Sequence, residues 1–352
     1  MNRDMLLESI HHGEPVRLED LSHLDLNGAD LSGAVFEEVT FPKGLRGAFL
    51  MESTFVGCDF GGCDMAGADL HLATLYRSRL TGAVLDGAKL VAASFVECDA
   101  DASSFARAEA PIANWVQTSL HGASFAGANL DRANLLELDA CEATFEGANL
   151  EKATLYRADL RTAELAGANL TLTTLVEAKL GPKSFASIKL FRTQFMKSEL
   201  AGASFVGVDC TECNFMGADL SGATFERACA ARCFFGEAKL PAARMAMSDL
   251  RQAVFQRADL TKAEFAGATL EEAYLAEVTA EGASFCGAQM READLSHADV
   301  SDADFTGATL YRTKFHRAVR EGATLPSLTG WLGDDEELAR IEDWRPHNGS
   351  ER

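Results

Sequence analysis

The 352-residue chain is 47% hydrophobic and holds 53 acidic against 32 basic residues, a formal net charge of -21. That balance excludes direct nucleic-acid binding through phosphate neutralisation, which needs clustered Lys and Arg, and favours neutral or basic protein partners. No apolar run reaches the roughly 18 residues of a membrane span, and the start MNRDMLLESIHHGEPVRLEDL has acids and histidines where a secretory leader needs an apolar core; no membrane association and a cytoplasmic location are expected.

The first segment, 1–15, reads as a short amphipathic capping helix (RDMLLESIHHGEP) closed by Gly13 and Pro15. From residue 16 a five-residue period begins, with Leu21, Leu26, Leu31, Phe36 and Phe41. It shifts by one residue in FPKGL, 41–45, where Pro and Gly suit an irregular corner, and then holds to Leu325. Of the 57 positions from 45 to 325 that are divisible by five, 45 are Leu or Phe. Two residues before each centre from Leu50 on, at 48 to 323, 51 of 56 positions are Ala, Ser, Cys or Thr.

A five-residue step turns about 140° net on a helix, so these leucines would circle it; hairpin signals for an antiparallel sheet are also missing. A continuous coil remains, each pentapeptide forming one side and successive turns stacking at ~4.8 Å. Phenylalanine sets the number of sides: it occupies 16 odd multiples of five and one even multiple, Phe60. Three or five sides per turn would mix Phe and Leu in each column, whereas four keep Phe over Phe on two opposite walls. The expected fold is an all-β, quadrilateral β-helix (solenoid) of about 20 residues per coil, about 15 turns and roughly 70 Å long.

Where the small site is large, its neighbour shrinks: Leu138 precedes Ala140, Val208 precedes Cys210 and Val278 precedes Ala280. Lys183 and Ile188 have no such compensation, so 181–195 is expected to hold a bulge or distorted corner; Ala100, Ala110 and Ala230, also uncompensated, mark expected narrowing or a void. The last segment, 326–352, contains DDEELARIEDWRP with a capping-box pattern from Asp334 to Glu337, and Leu338, Ile341 and Trp344 are expected to face and plug the tube. An open tube end invites end-to-end pairing, so a homodimer through a tube end is a further expectation.

The tandem units GANLEKATLYRADL, GADLSGATF and READLSHADVSDADF resemble the pentapeptide-repeat family, with its consensus A(D/N)LXX, over roughly residues 16–325. The resemblance implies a right-handed quadrilateral β-helix, no catalytic activity, and a binding or mimicry role.

Enzyme and metal patterns are weak. GASFA (122–126), GASFV (202–206) and GASFC (282–286) lack the final Gly of a nucleophile elbow. Cys210 and Cys213 form a lone C-x-x-C on the two inward positions, the eight histidines are scattered, and no catalytic, cofactor-binding or metal residue is assigned. The directional surface feature is a column found by stepping twenty residues: Asp59, Asp99, Asp139, Asp159, Glu199, Asp219, Asp259 and Asp299, interrupted by Arg79, Lys179 and Lys239. A negative stripe on a rod resembles the branch of the family that imitates duplex DNA, binds DNA gyrase and protects it from quinolones. Segments 1–44 and 326–352 supply -6 and -4 of the charge, however, leaving the tube only -11. The principal expectation is a protein-binding scaffold, similar at its two ends to pentapeptide-repeat segments accompanying type VI secretion spike and effector-loading proteins. Outward Tyr76, Tyr156, Tyr274, Tyr311 and Phe191 are candidate contacts.

Overall fold

Laps of twenty residues lie over one another in parallel register, and each lap turns four corners. The computed structural model describes residues 1–326 and 330–344. Helix α1 (Arg3–His11), capped by Asn2 and burying Leu6, precedes the coil. One wall forms a seven-stranded parallel sheet: β1 (Val16–Arg17), β2 (Val35–Glu37), β3 (Thr54–Val56), β4 (Thr74–Tyr76), β5 (Ser94–Val96), β6 (Asn114–Val116) and β7 (Asn134–Leu136). On the other walls, and on this wall beyond β7, single-residue parallel bridges continue the stacking as far as Lys314↔Leu332. From Asp20 to Leu332 is 312 residues, or about fifteen coils of twenty.

The local cause is a repeated pair of bonds. An inward residue donates its N–H to the next coil (Phe125 N to Thr144 O, 2.7 Å), and the outward residue beside it donates to the coil before (Ser124 N to Ser103 O, 2.9 Å). At nearly every corner the residue two after the centre has positive φ, as Glu137 (54°) and Arg157 (53°) do. That costly backbone is held because its N–H is also bonded, Glu137 N to Tyr156 O at 2.8 Å.

We name the walls in chain order: the sheet wall (around Phe55), the acidic wall (around Phe60), the third wall (around Met65) and the fourth wall (around Leu70). The sheet and third walls are opposite and carry most of the inward phenylalanines, which stack at coil spacing: Phe105 on Phe125 at 4.8 Å, Phe125 on Phe145 at 5.1 Å, Phe195 on Phe215 and Phe215 on Phe235 at 5.1 Å. The two stacks meet edge to face across the axis, Phe205 against Phe215 at 5.5 Å and 83°. Buried small polar residues satisfy themselves on a carbonyl 23 residues back, such as Thr193 Oγ1 on Leu170 O (2.7 Å) and Cys213 Sγ on Leu190 O (2.8 Å).

Ala100 and Ala110 share a coil with the fully buried Phe105 and Trp115, whose rings meet edge to face at 6.0 Å. Cys210 and Ala230 lie between the Phe205, Phe215, Phe225 and Phe235 rings.

The phase shift falls where Pro and Gly allow it: Thr40 pairs with Asp59, nineteen residues on, whereas Gly44 pairs with Asp64, twenty on. The second irregularity is a distorted corner without an extra residue. Pro182 cannot take the positive φ its position calls for, and Gly181 takes it instead at 62°. Bridging skips the Glu164 to Ser184 step, where the Lys183 ammonium bonds Ala163 O in place of the ladder. It also skips the Lys189 to Asp209 step, beside the oversized inward Ile188 and Val208. Burial draws the Lys183 pKa below its ordinary value.

The C-terminal plug differs from expectation. Helix α2 (Glu336–Glu342) is capped by Asp335, which accepts from Glu337 N and Leu338 N, while Asp334 accepts from Arg317 N instead. Leu338 is 42% exposed, and Ile341 and Trp344 are each 71% exposed. Trp331 covers the last coil, edge-on to Phe315 at 5.6 Å, because the chain reaches the tube mouth before the helix begins.

Candidate functional site

The acidic column is a true column. Asp59, Arg79, Asp99, Ser119, Asp139 and Asp159 are successive bridge partners on one wall, and the series continues through Glu199, Asp219 and Asp259 to Thr279 and Asp299. Its aspartates have a local task. Each accepts the N–H two residues on: Asp59 from Gly61 (2.8 Å), Asp99 from Asp101 (3.1 Å), Asp139 from Cys141 (3.1 Å), Asp219 from Ser221 (3.0 Å), Asp259 from Thr261 (3.0 Å) and Asp299 from Ser301 (3.0 Å). This turn-closing bond is what a short acidic or amide side chain supplies before a corner, and Asp64, Asp69 and Asp249 form it on other walls.

Two of the eight acids are also ion-paired. Arg79 bonds Asp59 at 2.6 Å and Arg161 bonds Asp159 at 2.6 Å. The Arg161 guanidinium holds Asp159 below the ordinary carboxylate range. At Asp59 burial pushes the carboxyl up, but Arg79 and the Gly61 N–H outweigh it, and the group titrates low. The column therefore carries less free negative charge than its letters indicate.

The sheet wall carries the more coherent feature. Just after the inward centre, nine successive coils present an apolar outward residue: Val56, Tyr76, Val96, Val116, Leu136, Tyr156, Val176, Met196 and Met216. Within the sheet these are direct Cα partners, Val56 on Tyr76, Tyr76 on Val96, Val96 on Val116 and Val116 on Leu136, so the row is straight. The equivalent row on the acidic wall reads Gly61, Thr81, Asp101, His121, Cys141 and Arg161, and on the fourth wall polar residues break it at His71, Asp131 and Glu151. On one side of the apolar row runs a neutral polar row, with Asn134 Nδ2 bonded to Asn114 Oδ1 at 2.7 Å. On the other side a charged rim pairs along the rod, Arg77 with Glu97 at 2.6 Å and Arg157 with Glu177 at 2.7 Å. Each arginine also covers the tyrosine before it, at 4.8 Å for both Tyr76 and Tyr156. Of the five outward aromatics singled out from sequence, Tyr76, Tyr156 and Tyr274 share this wall, and Phe191 and Tyr311 lie on the fourth. The row is visible in the sequence only by stepping twenty residues from 56.

The C-terminus gathers His297, His316 and Glu342, whose ligand atoms all lie within 4.8 Å of one another. Asp335 N–H points at His316 Nδ1 (3.0 Å), which puts the ring proton on Nε2, facing Glu342 at 3.3 Å. An Nε2 that donates in this way cannot also ligate a metal, so the cluster reads as a latch. Burial presses the Glu342 pKa up, and the bonds from His316 and His297 outweigh it and hold the carboxylate low. Arg317 adds bonds to Ala339 O (3.0 Å) and Asp343 (2.7 Å).

The cysteines are free thiols, with Cys210 and Cys213 fully buried on the inward positions. Burial pushes Cys58, Cys63 and Cys98 up to about 11. Ser124 of GASFA is an ordinary outward wall residue, bridged to Ser104 and Thr144. Among the described residues no helix is long and apolar enough to cross a membrane.

Comparison with family models agrees with the five-residue repeat. The chain matches pentapeptide repeats (8 copies) over 20–43, 45–71, 113–135, 142–175, 270–307 and 288–319, and a pentapeptide repeat region over 208–285. No curated protein matches the chain. Among solved structures it is similar to QnrB1, a plasmid-mediated fluoroquinolone resistance protein, at 20% identity over 62% of this chain and 93% of that one, with a TM-score of 0.35. It is also similar to HetL of the cyanobacterium Nostoc, a pentapeptide repeat protein involved in heterocyst differentiation regulation, at 21% identity over 89% and 96%, TM-score 0.19. A third, from the Arabidopsis thaliana thylakoid lumen, is 26% identical over 32% and 67%, TM-score 0.21. With the twenty-residue, four-sided coil and family matches across more than half its length, this chain belongs to the pentapeptide repeat family.

Proposed function

We propose that this protein is a non-enzymatic, cytoplasmic protein-binding scaffold, an accessory of a bacterial type VI secretion system, and that it binds through the sheet wall. The observation carrying this reading is the unbroken apolar row from Val56 to Met216 between a neutral polar row and a paired charged rim. A central apolar strip with a polar border is the composition of protein interfaces, and a rod bonded at every coil holds it at fixed spacing with little ordering cost on binding. Reconstitution with type VI secretion spike and effector proteins from the same organism tests the reading. A complex that survives size exclusion and is lost in Val116→Glu supports it; no complex with any of them, or one indifferent to that change, refutes it.

The second reading, a DNA mimic that binds gyrase and protects against quinolones, rests on the stacked acidic column. Turn bonding of its aspartates and pairing with Arg79 and Arg161 weigh against it. A gyrase supercoiling assay with and without a quinolone decides: inhibition or protection at low micromolar protein that is lost on neutralising the column would favour the mimic.

A further inference from the structure

We infer that the sheet wall is self-complementary and that its first occupant is a second copy of this chain, laid face to face and antiparallel. This rests on the reading of that wall as a protein-binding face and names its partner. A two-fold axis in the plane of contact, perpendicular to the rod, sets each outward row against the same row of the partner in reverse order. With that axis between the Val116 and Leu136 coils, every large ring in the apolar row meets a small residue: Tyr76 faces Val176 and Tyr156 faces Val96, while Val116 faces Leu136.

The same operation matches the charged rim. Arg77 meets Glu177 and Glu97 meets Arg157, so the pair bonded at 2.6 Å in one copy lies against the pair bonded at 2.7 Å in the other, with opposite charges adjacent throughout. The two units are chemical copies of each other, TLYR at 74–77 and at 154–157, each followed one coil later by Val and Glu (Val96–Glu97 and Val176–Glu177). In the neutral row Asn114 meets Asn134 and Thr74 meets Thr174. Shifting the axis onto the Val116 coil would set Arg77 against Arg157 and Glu97 against Glu137. The tube ends are less suited to pairing, since α1 buries Leu6 at one end and Trp331 packs on Phe315 at the other.

The eight coils from Val56 to Met196 extend ~38 Å, and three extended residues across give ~10 Å, or ~400 Å² per partner. Counted over both partners that is ~800 Å², below the ~1,200 Å² of stable specific interfaces and in the range of transient ones, so the dimer is weak, reversible and dependent on concentration.

Sedimentation equilibrium or light scattering of the full chain from low to high micromolar concentration tests the inference. The expected mass rises from 37.8 kDa toward twice that value. Val116→Glu should abolish the rise. Arg77→Glu should weaken association at least tenfold by facing Glu177, and Arg77→Glu with Glu177→Arg should restore it, with unchanged circular dichroism and thermal midpoint in every variant. A monomer at all concentrations, a dimer indifferent to Val116→Glu, or absence of rescue would overturn the inference. Rescue of Glu97→Arg by Lys197→Glu instead would move the axis by one coil and overturn this pairing. A monomer that still binds a spike or effector protein through Val116 leaves the scaffold reading standing while removing the dimer, so the two fail separately.

Discussion

Phe215 is the best place to test the packing of the core. Its ring is stacked between Phe195 and Phe235 at 5.1 Å each, and edge-on to Phe205 at 5.5 Å and Phe225 at 5.6 Å. Phe145 is equally buried but has one aromatic partner, Phe125 at 5.1 Å. Truncating a buried Phe to Ala costs about 3 to 5 kcal/mol in transfer and cavity terms. Aromatic pairs contribute about 0.5 to 1.5 kcal/mol each beyond area burial, so the three additional pairs separate the two sites by about 2 kcal/mol or more. Phe145→Ala is therefore expected near the low end of that range and Phe215→Ala near or above its top. Guanidinium unfolding followed by circular dichroism reads this, with far-ultraviolet and tryptophan signals compared because a solenoid can unfold in parts. Equal costs at the two sites, or a larger cost at Phe145, would refute the claim that ring stacking along and across the axis organises the interior.

Three other outcomes follow from the same geometry. Asp219→Ala, which removes the acceptor of Ser221 N–H, should cost about 0.5 to 1.5 kcal/mol, whereas Asp219→Asn keeps the bond and should be close to neutral in thermal melts; equal losses would make charge, not the turn bond, the reason for the acid. Arg161 and Arg251 hold Asp159 and Asp249 below the ordinary carboxylate range, so the unfolded chain takes up protons first, near the reference Asp value of about 3.9. Their contribution should be complete above that value and disappear as pH falls through the depressed folded values, read as a falling urea midpoint; a midpoint independent of pH below neutrality would contradict it. Cys58, Cys63, Cys98, Cys210, Cys213 and Cys233 are buried, with thiol pKa values pushed up by burial, and at Cys210 first by its contact with Cys233. A thiol reagent at neutral pH should leave these six unlabelled until denaturant is added; prompt labelling of Cys213 in the native protein would count against the inward assignment.

Within the repeat, what the sequence determined by itself was which side of the backbone a residue faces. The five-residue period assigns Leu150 and Ala148 inward without tertiary information, Phe parity gives four walls, and the oversized Lys183 and Ile188 mark the corner where bridging lapses. These are legible because the packing rule repeats at short range and each violation is local. Tertiary structure decided whatever depends on relations between coils. The acidic residues that sequence reads as a surface field are engaged in closing turns. Leu338, Ile341 and Trp344 have helical spacing suited to a plug, yet His297, His316 and Arg317 dock α2 by its polar side and leave them outward. The sheet wall was the largest omission, because its members stand twenty residues apart and become one surface only when parallel backbone bonds set Val96 on Val116 and Val116 on Leu136.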